Sequence, residues 1–263
     1  MTHLNFLDNP ETFHFAVVGD RAGWHRPGVF RAAVERLEAL GPRFVMSVGD
    51  LVDTGDFGMN PDLFSAEPLE QRCAEISSWV GALRMPFFFV GGNNELRTEP
   101  MEEVWARPLG TTYYHFLYQD VLFIVLNSEE PPGDPMGGMG DAQLEWLRGV
   151  LVENLDVRWT FLFLHKPMWE LTDHPAWMAV EEALGDRPRT AFGGHAHRYS
   201  RSEVNGHVYY RLATTGGGSD LSGIAEGQFD HVAWVTMTEQ GPRVSNLILD
   251  GIWGDDPVAE VGG

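Results

Sequence analysis

Five apolar segments of strand length are each followed directly by side chains that can bind a metal ion. These candidate ligands are Asp20, Asp50, Asn93, His165, His195 and His197. Two carboxylates, an amide oxygen and three imidazoles, with no thiolate, favour Mn, Fe, Co or Zn, whereas calcium prefers mostly oxygen ligands. Six ligands exceed what one tetrahedral site needs, so the set predicts a centre for two metal ions.

The segments that precede these residues have the composition of buried strands. They are Phe13–Val18, Phe44–Val48, Phe87–Val90, Thr160–Leu164 and Thr190–Phe192, and Val121–Leu126 is a sixth strand of the same kind. Several of these strands are separated by segments in which apolar residues have the spacing of a helix, at Pro27–Leu40, Leu69–Leu83 and Asp141–Leu151. Such alternation predicts an α/β fold with a mostly parallel central sheet, whose functional crevice lies at the carboxyl ends of the strands. If these strands share one sheet, the six candidate ligands converge there.

The pattern changes in the last quarter of the chain to strands joined by turns. Asn205-Gly206 predicts a hairpin between Val204 and His207–Leu212, because both positions of such a turn require a positive φ. Two further strands are predicted at Val232–Met237 and Val244–Leu249. Two segments rich in Gly and Pro, Asp53–Glu67 and Glu129–Gly140, are predicted to be loops of the kind that often lie over a functional site.

The charge of the chain limits its partners. The 263 residues carry 18 Lys+Arg against 38 Asp+Glu, a net charge of −20. This charge repels nucleic acid and anionic lipid, so we expect neither a nucleic-acid surface nor a membrane surface. A small phosphorylated substrate stays compatible with it, because bound metal ions reverse the field locally.

Cysteine content and hydropathy exclude further classes. The single cysteine, Cys73, excludes an internal disulfide, and no apolar run is long enough to span a bilayer. No secretory signal is visible, which predicts a cytoplasmic location. A hydrophobic content of 43% and the lack of a linker-like stretch predict a single domain over residues 1–263.

The order and spacing of these motifs resemble the calcineurin-like metallophosphoesterase superfamily over roughly residues 13–215. The residues that carry the resemblance are Gly19-Asp20, Gly49-Asp50-Leu51-Val52-Asp53, Gly92-Asn93-x-Glu95, His165-Lys166-Pro167 and Gly194-His195-Ala196-His197. It implies a β-sandwich flanked by helices in four α/β/β/α layers, and hydrolysis of phosphoric esters by a metal-bound hydroxide at a dinuclear centre. It also implies that Asp50 bridges two Mn, Fe or Zn ions. Asp20 and His197 would complete one site, and Asn93, His165 and His195 the other.

Two positions depart from the pattern of the superfamily. The first motif, Asp-x-His, has Ala22 in place of its His, and His25 is the nearest candidate to replace that ligand. The third motif, Gly-Asn-His, has Asn94, which can donate a hydrogen bond to a phosphate oxygen but cannot supply a proton. We therefore expect a preference for substrates with good leaving groups. The groups predicted to stabilise charge on the phosphate are Asn94, His195 and Arg21.

Other interpretations of the same residues stay open at the level of sequence. Asp20 and Asp50 could cap the elements that follow them, and His165 could be a core histidine. The enzyme could be a phosphodiesterase acting on nucleotides or glycerophosphodiesters. Alternatively, the departures at Ala22 and Asn94 favour a degenerate, non-catalytic protein that binds a single metal ion.

Overall fold

The strands of the protein form two sheets, seen in a computed structural model that describes residues 12–53 and 66–249. The elements in chain order are β1 (Phe13–Val18), α1 (Val29–Leu40), β2 (Val45–Ser47), α2 (Ala66–Val80), β3 (Phe87–Phe88), α3 (Glu99–Leu109), β4 (Tyr114–Tyr118), β5 (Val121–Val125), α4 (Asp141–Glu153), β6 (Trp159–Phe163), α5 (Pro175–Leu184), β7 (Arg189–Gly193), β8 (Ser200–Val204), β9 (His207–Arg211), β10 (His231–Thr238) and β11 (Gly241–Ile248). None of the helices in these two ranges is long and apolar enough to cross a membrane.

The first sheet has the order β11-β10-β1-β2-β3, and the second has the order β4-β5-β6-β7-β9-β8. Strands β1, β2 and β3 are parallel to one another, as are β5, β6, β7 and β9, whereas antiparallel strands lie towards the edges. The prediction of one central sheet is therefore wrong, because the predicted strands are divided between two sheets. The mixed α/β sandwich implied by the resemblance is confirmed.

The four layers form because alternate side chains of each central strand pack on opposite faces of its sheet. In β1, Phe13, Phe15 and Val17 pack between the sheets, while Ala16 and Val18 pack with the helices α1, α2 and α3. Strand β5 divides its residues in the same way between the second sheet's inner face and the helices α4 and α5. A strand covered on both faces needs apolar residues at nearly every position, and this is the pattern that the sequence shows.

Aromatic rings fill the space between the sheets. The ring of Phe15 is stacked on Phe44 at a centroid distance of 5.2 Å. It also meets Phe123 and Phe161 edge-on at 5.3 and 5.1 Å. These rings come from both sheets, so they hold one sheet in a fixed position relative to the other.

Local signals in the sequence have different outcomes. The predicted hairpin is confirmed, since β8 and β9 are joined by Asn205 and Gly206 with φ of 52° and 77°. Helix α3 was not predicted, because its Pro108 normally interrupts a helix, but this proline lies in the last turn. Of the predicted loop Asp53–Glu67, residues 54–65 lie outside the described part of the chain, and α2 begins at Ala66.

The inner aromatic core gives a test of this packing. We expect Phe15→Ala to lower the free energy of unfolding by about 3–5 kcal/mol, because Phe15 is fully buried between the sheets. Leu117→Ala is the control: this side chain is 54% exposed, and its loss should cost less than about 0.5 kcal/mol. Denaturant unfolding measures both values, and equal midpoints for the two variants would contradict the packing described above.

Candidate metal centre

The ends of strands from both sheets meet at one edge of the sandwich. Asp20, Asp50 and Asn93 follow β1, β2 and β3 of the first sheet. His165 follows β6, and His195 and His197 follow β7, both in the second sheet. The structure thus places three candidate ligands on each sheet, at the carboxyl ends of parallel strands.

Asp20, Asp50 and His165 form the buried centre of this group. Each offers a ligand atom, and these atoms all lie within 4.8 Å of one another. His165 Nε2 is 3.3 Å from Asp50 Oδ2, and His165 Nδ1 is 3.7 Å from Asp20 Oδ1. Both carboxylates are buried, so their negative charges need compensation inside the protein.

The Nε2 atom of His165 faces three other electron-rich atoms. Its Nδ1 donates to the backbone carbonyl of Val48 at 2.9 Å. Its Nε2 faces Asn93 Oδ1 at 3.1 Å, His195 Nδ1 at 3.2 Å and Asp50 Oδ2. A neutral imidazole has a single N–H, here on Nδ1, so a positive charge at this point, either a metal ion or a second proton on Nε2, would balance the convergence of these atoms.

The pKa of His165 also indicates that this point favours positive charge. Burial by itself would lower this pKa, but the carboxylates of Asp50 and Asp20 outweigh burial and raise it to about 10. The pKa of Asp50 is held below its usual range despite burial, by His165 and by hydrogen bonds from Asn94. The site therefore favours positive charge next to its carboxylates.

Asp20 provides a direct test of whether a metal ion fits. Its Oδ1 accepts a hydrogen bond from the backbone N–H of His195 at 2.9 Å. Its Oδ2 is buried and has no hydrogen-bond partner in the described ranges. Since a buried carboxylate oxygen without a partner is costly, and since the surrounding donors are oxygen and imidazole nitrogen, the residues present fit a transition-metal ion.

His197 is oriented in the same manner as His165. Its Nδ1 donates to the backbone carbonyl of Gly218 at 2.7 Å, which leaves Nε2 as the ligand atom. This Nε2 lies 3.8 Å from Asp20 Oδ1. Hydrogen bonds from the far nitrogen of an imidazole to a carbonyl are typical of metal-binding histidines.

The backbone of the candidate ligands is also unusual. Asp50, His195 and His197 have φ of 50°, 74° and 52°, in the left-handed region that residues other than glycine rarely adopt. Such conformations cluster at functional sites, where the surrounding structure enforces them. Capping or core packing alone would not account for three of them in one group.

Close contacts explain two of the glycines in the motifs. A Cβ added to Gly92 would lie 2.3 Å from Asp50 Oδ1, and one added to Gly194 would lie 2.3 Å from Asp20 Oδ2. Both glycines are therefore required so that the backbone can approach the carboxylates.

The side chains of Arg21 and His25 contact groups other than the carboxylates of Asp20 and Asp50. The guanidinium of Arg21 donates to the carbonyl of Leu51 at 2.9 Å and lies 4.9 Å from the centroid of the Trp79 ring. The ring of His25 pairs with Asp53 Oδ2 at 2.9 Å. The structure thus directs Arg21 towards α2 instead of the crevice, and it does not bring His25 to the position left open by Ala22.

Asn94 contacts a candidate ligand. Its side-chain Nδ2 donates to Asp50 Oδ2 at 2.7 Å, and its backbone N–H donates to Asp50 Oδ1 at 2.8 Å. Asn94 therefore orients the carboxylate of Asp50. Its hydrogen bond to a phosphate oxygen stays a prediction, since the amide carries two N–H groups and Asp50 Oδ2 takes one of them.

Glu95 joins the second and third motifs. Its fully buried carboxylate accepts hydrogen bonds from the backbone N–H groups of Asp50, Val52 and Gly92 at 3.1, 2.7 and 2.8 Å. It therefore fixes the two loops that carry Asp50 and Asn93.

Sequence reasoning missed a supporting contact on the far side of the crevice. Arg26 forms a two-pronged pair with Asp230, at 2.6 and 2.7 Å. Asp230 also accepts from the backbone N–H of Gly216, which leads into the loop that holds His197. No local sequence pattern predicts this ion pair, because Arg26 and Asp230 are separated by 204 residues.

A second missed contact anchors the residue after His165. The buried ammonium of Lys166 pairs with buried Glu129 at 2.6 Å and donates to the carbonyl of Asp134 at 2.5 Å. It thereby fixes the start of the Gly- and Pro-rich loop that the sequence predicts at Glu129–Gly140.

Comparisons with known proteins agree with this geometry. The model of the calcineurin-like phosphoesterase family matches residues 13–199. The fold is similar to a dimetal phosphatase from Danio rerio, with a TM-score of 0.60 and 16% identity over 92% of this chain and 99% of that one. No curated protein matches the sequence.

Two further solved structures share the fold. PhoD has a TM-score of 0.64 and 12% identity, over 91% of this chain and 69% of that one. A purple acid phosphatase, PPD1 from yellow lupin (Lupinus luteus) seeds, has a TM-score of 0.65 and 13% identity, over 91% of this chain and 52% of that one. At these identities the similarity concerns the fold.

The close approach at Gly194 yields a test of the centre. We expect Gly194→Ala to weaken metal binding by more than about tenfold, because the new Cβ would displace Asp20 Oδ2. Calorimetric titration with Mn²⁺ measures the affinity. Gly149→Ala is the matched control, since Gly149 lies in α4 with no atom within 4 Å of an added Cβ. Equal affinities in the two variants would argue against Asp20 as a ligand.

Proposed function

The chain belongs to the calcineurin-like phosphoesterase family, and from that premise we propose that its six candidate ligands hold two metal ions for the hydrolysis of phosphoric esters. The observation that supports this most is the buried Asp20 Oδ2, which has no hydrogen-bond partner in the described ranges although ligand atoms of Asp20, Asp50 and His165 all lie within 4.8 Å of one another. A metal ion would satisfy this oxygen and would be bound by all three side chains.

Two groups of residues would hold the ions. Asp20 and His197 form one group, and Asn93, His165 and His195 form the other, with Asp50 belonging to both. Mn, Fe or Zn suits this mixture of carboxylate, amide and imidazole donors. When bound, such ions lower the pKa of a water molecule so that it can act as a nucleophile, and they stabilise negative charge on the phosphoryl oxygens.

Neighbouring residues of the chain orient the candidate ligands. Two hydrogen bonds from Asn94 fix the carboxylate of Asp50, and Glu95 accepts from the backbone N–H of Asp50 and so fixes its backbone. Carbonyl groups of Val48 and Gly218 fix the ligand nitrogens of His165 and His197. A rigid centre of this kind needs little reorganisation when charge develops on the substrate.

Proton transfer to the leaving group is where this chain differs from its family pattern. The amide of Asn94 carries no acidic proton and is bonded to Asp50. General acid catalysis by a positioned side chain typically contributes about 10²–10⁴-fold in rate. Without it, the departure of a basic alkoxide becomes the difficult part of the reaction.

The leaving group therefore gives a kinetic test. We expect kcat/KM of the Mn-loaded enzyme to fall steeply as the leaving-group pKa rises across a series of aryl phosphomonoesters. A matching series of diesters will show which ester class the enzyme prefers, including nucleotide and glycerophosphodiester substrates. A flat dependence on leaving-group pKa would show that some group does supply a proton.

Removal of the shared ligand tests the centre itself. We expect Asp50→Asn to lower kcat/KM by more than about 100-fold, because changes one shell further out already cost about 10–100-fold. Asp186→Asn is the control, at an exposed position between α5 and β7. Chelation of the wild-type enzyme should abolish activity, and added Mn²⁺ should restore it. Full activity in Asp50→Asn would contradict the assignment.

A binding protein with one metal ion is the second candidate, favoured by the buried Ala22 in the first motif. With Arg21 and His25 engaged elsewhere, the Asp20 side offers one side chain fewer than the family pattern. Metal analysis separates the candidates: two equivalents of metal with turnover support the enzyme, and one equivalent without turnover supports the binding protein.

A further inference from the structure

One aromatic side chain beside the candidate metal centre is exposed in an unusual way. Trp24 is 72% exposed, although an indole normally buries most of its large apolar surface. Its backbone has a φ of 67°, which is strained for a bulky residue. A mostly exposed indole contributes little hydrophobic free energy to folding, and its strained backbone costs free energy. Its placement therefore points to a role in binding.

Contacts with the glycine loop, Gly216–Gly218, hold Trp24 in place. The backbone N–H of Gly218 donates to Gly23, and that of Arg26 donates to Gly216, both at 2.7 Å. A Cβ added to Gly218 would lie 2.9 Å from the Cβ of Trp24. The backbone on both sides of the indole is therefore fixed to the loop that also orients His197.

Trp24 lines a cavity of about 650 Å³ that includes the candidate ligands Asp50, Asn93, His195 and His197. This volume lies within the usual range of about 300–1,000 Å³ for small-molecule sites. A phosphate at the metal centre would place the group that it esterifies within the same cavity as the indole.

The remaining walls are polar and indicate the chemistry of that group. Ser219, Asp220 and Gln228 line the cavity on the side of the glycine loop. Asp220 forms no ion pair with any other described residue. The amide oxygen of Gln228 already accepts from Ser222, which leaves its NH₂ group to donate. A flat ring with hydrogen-bonding groups along its edge could use the indole face and all three polar walls, whereas a trimethylammonium group could use the indole face and the Asp220 carboxylate but would leave Ser219 and Gln228 without a partner.

We propose that Trp24 is the stacking platform for a nucleobase, and that the substrates of this centre are nucleotides. The inference rests on the proposed function, because it needs the phosphate at the metal centre. The proposal specifies a substrate class, which the candidate metal ligands do not specify.

Two phosphonates that cannot be hydrolysed test the stacking directly. In adenosine 5′-phosphonate and ribose 5-phosphonate a methylene group replaces the ester oxygen, and the two ligands differ only in the base. Calorimetry with the Mn-loaded protein should give about 5- to 150-fold tighter binding of the adenosine compound, which corresponds to the stacking of one base. In Trp24→Ala this ratio should fall close to one, and Trp24→Phe should retain part of it.

Two controls separate binding from folding. Leu155→Ala removes an apolar side chain that is 71% exposed and lines a different cavity, so the ratio should stay as in the wild type. Trp24→Gly removes the strained side chain, and it should lose base preference without lowering the midpoint of thermal unfolding. A merely structural indole would lower that midpoint.

Each contrary result has a separate meaning. A ratio near one in the wild type, or an unchanged ratio in Trp24→Ala, would overturn the nucleobase site and leave the proposed function standing. Phosphocholine binding more tightly than the adenosine compound through Trp24 would assign the indole to a cation, and would also overturn it. If neither phosphonate binds and no phosphoester is hydrolysed, both proposals fail.

Discussion

The burial of two carboxylates at one edge of the sandwich is the constraint on which the rest of the structure depends. Asp20 and Asp50 lie within reach of the same imidazole, and neither is appreciably exposed. Such charges are tolerated in an interior only when cations and hydrogen bonds compensate them. The raised pKa of His165, to about 10, expresses this need in a centre built for positive charge.

The compensation is assembled from parts of the chain that are far apart. Asn94 and Glu95 fix the loop of Asp50 from the first sheet. His165 is oriented by the carbonyl of Val48, which belongs to the opposite sheet. The aromatic core between the sheets therefore has a functional consequence, since a shift of one sheet against the other would separate the two halves of the centre.

The departures from the family pattern change which residues support the two carboxylates. With Ala22 in the first motif, the Asp20 side depends on His197, whose orientation comes from the glycine loop and, behind it, from Arg26 and Asp230. With Asn94 in the third motif, a position that elsewhere carries an imidazole instead secures Asp50. Under the proposed function, proton transfer would then lack a side chain at this position. The loop of Gly216–Gly218 that orients His197 also holds the backbone of Trp24 beside the centre.

The sequence by itself determined the candidate ligands, because each follows an apolar strand and is preceded or followed by its motif residues. It also determined the two-sided burial of the strands and the Asn205-Gly206 hairpin, since these are local patterns. It did not determine that the strands divide between two sheets, that Arg21 turns towards α2, or that Arg26 pairs with Asp230. Those outcomes are contacts between distant segments, and only packing in three dimensions selects among the partners that one side chain could take.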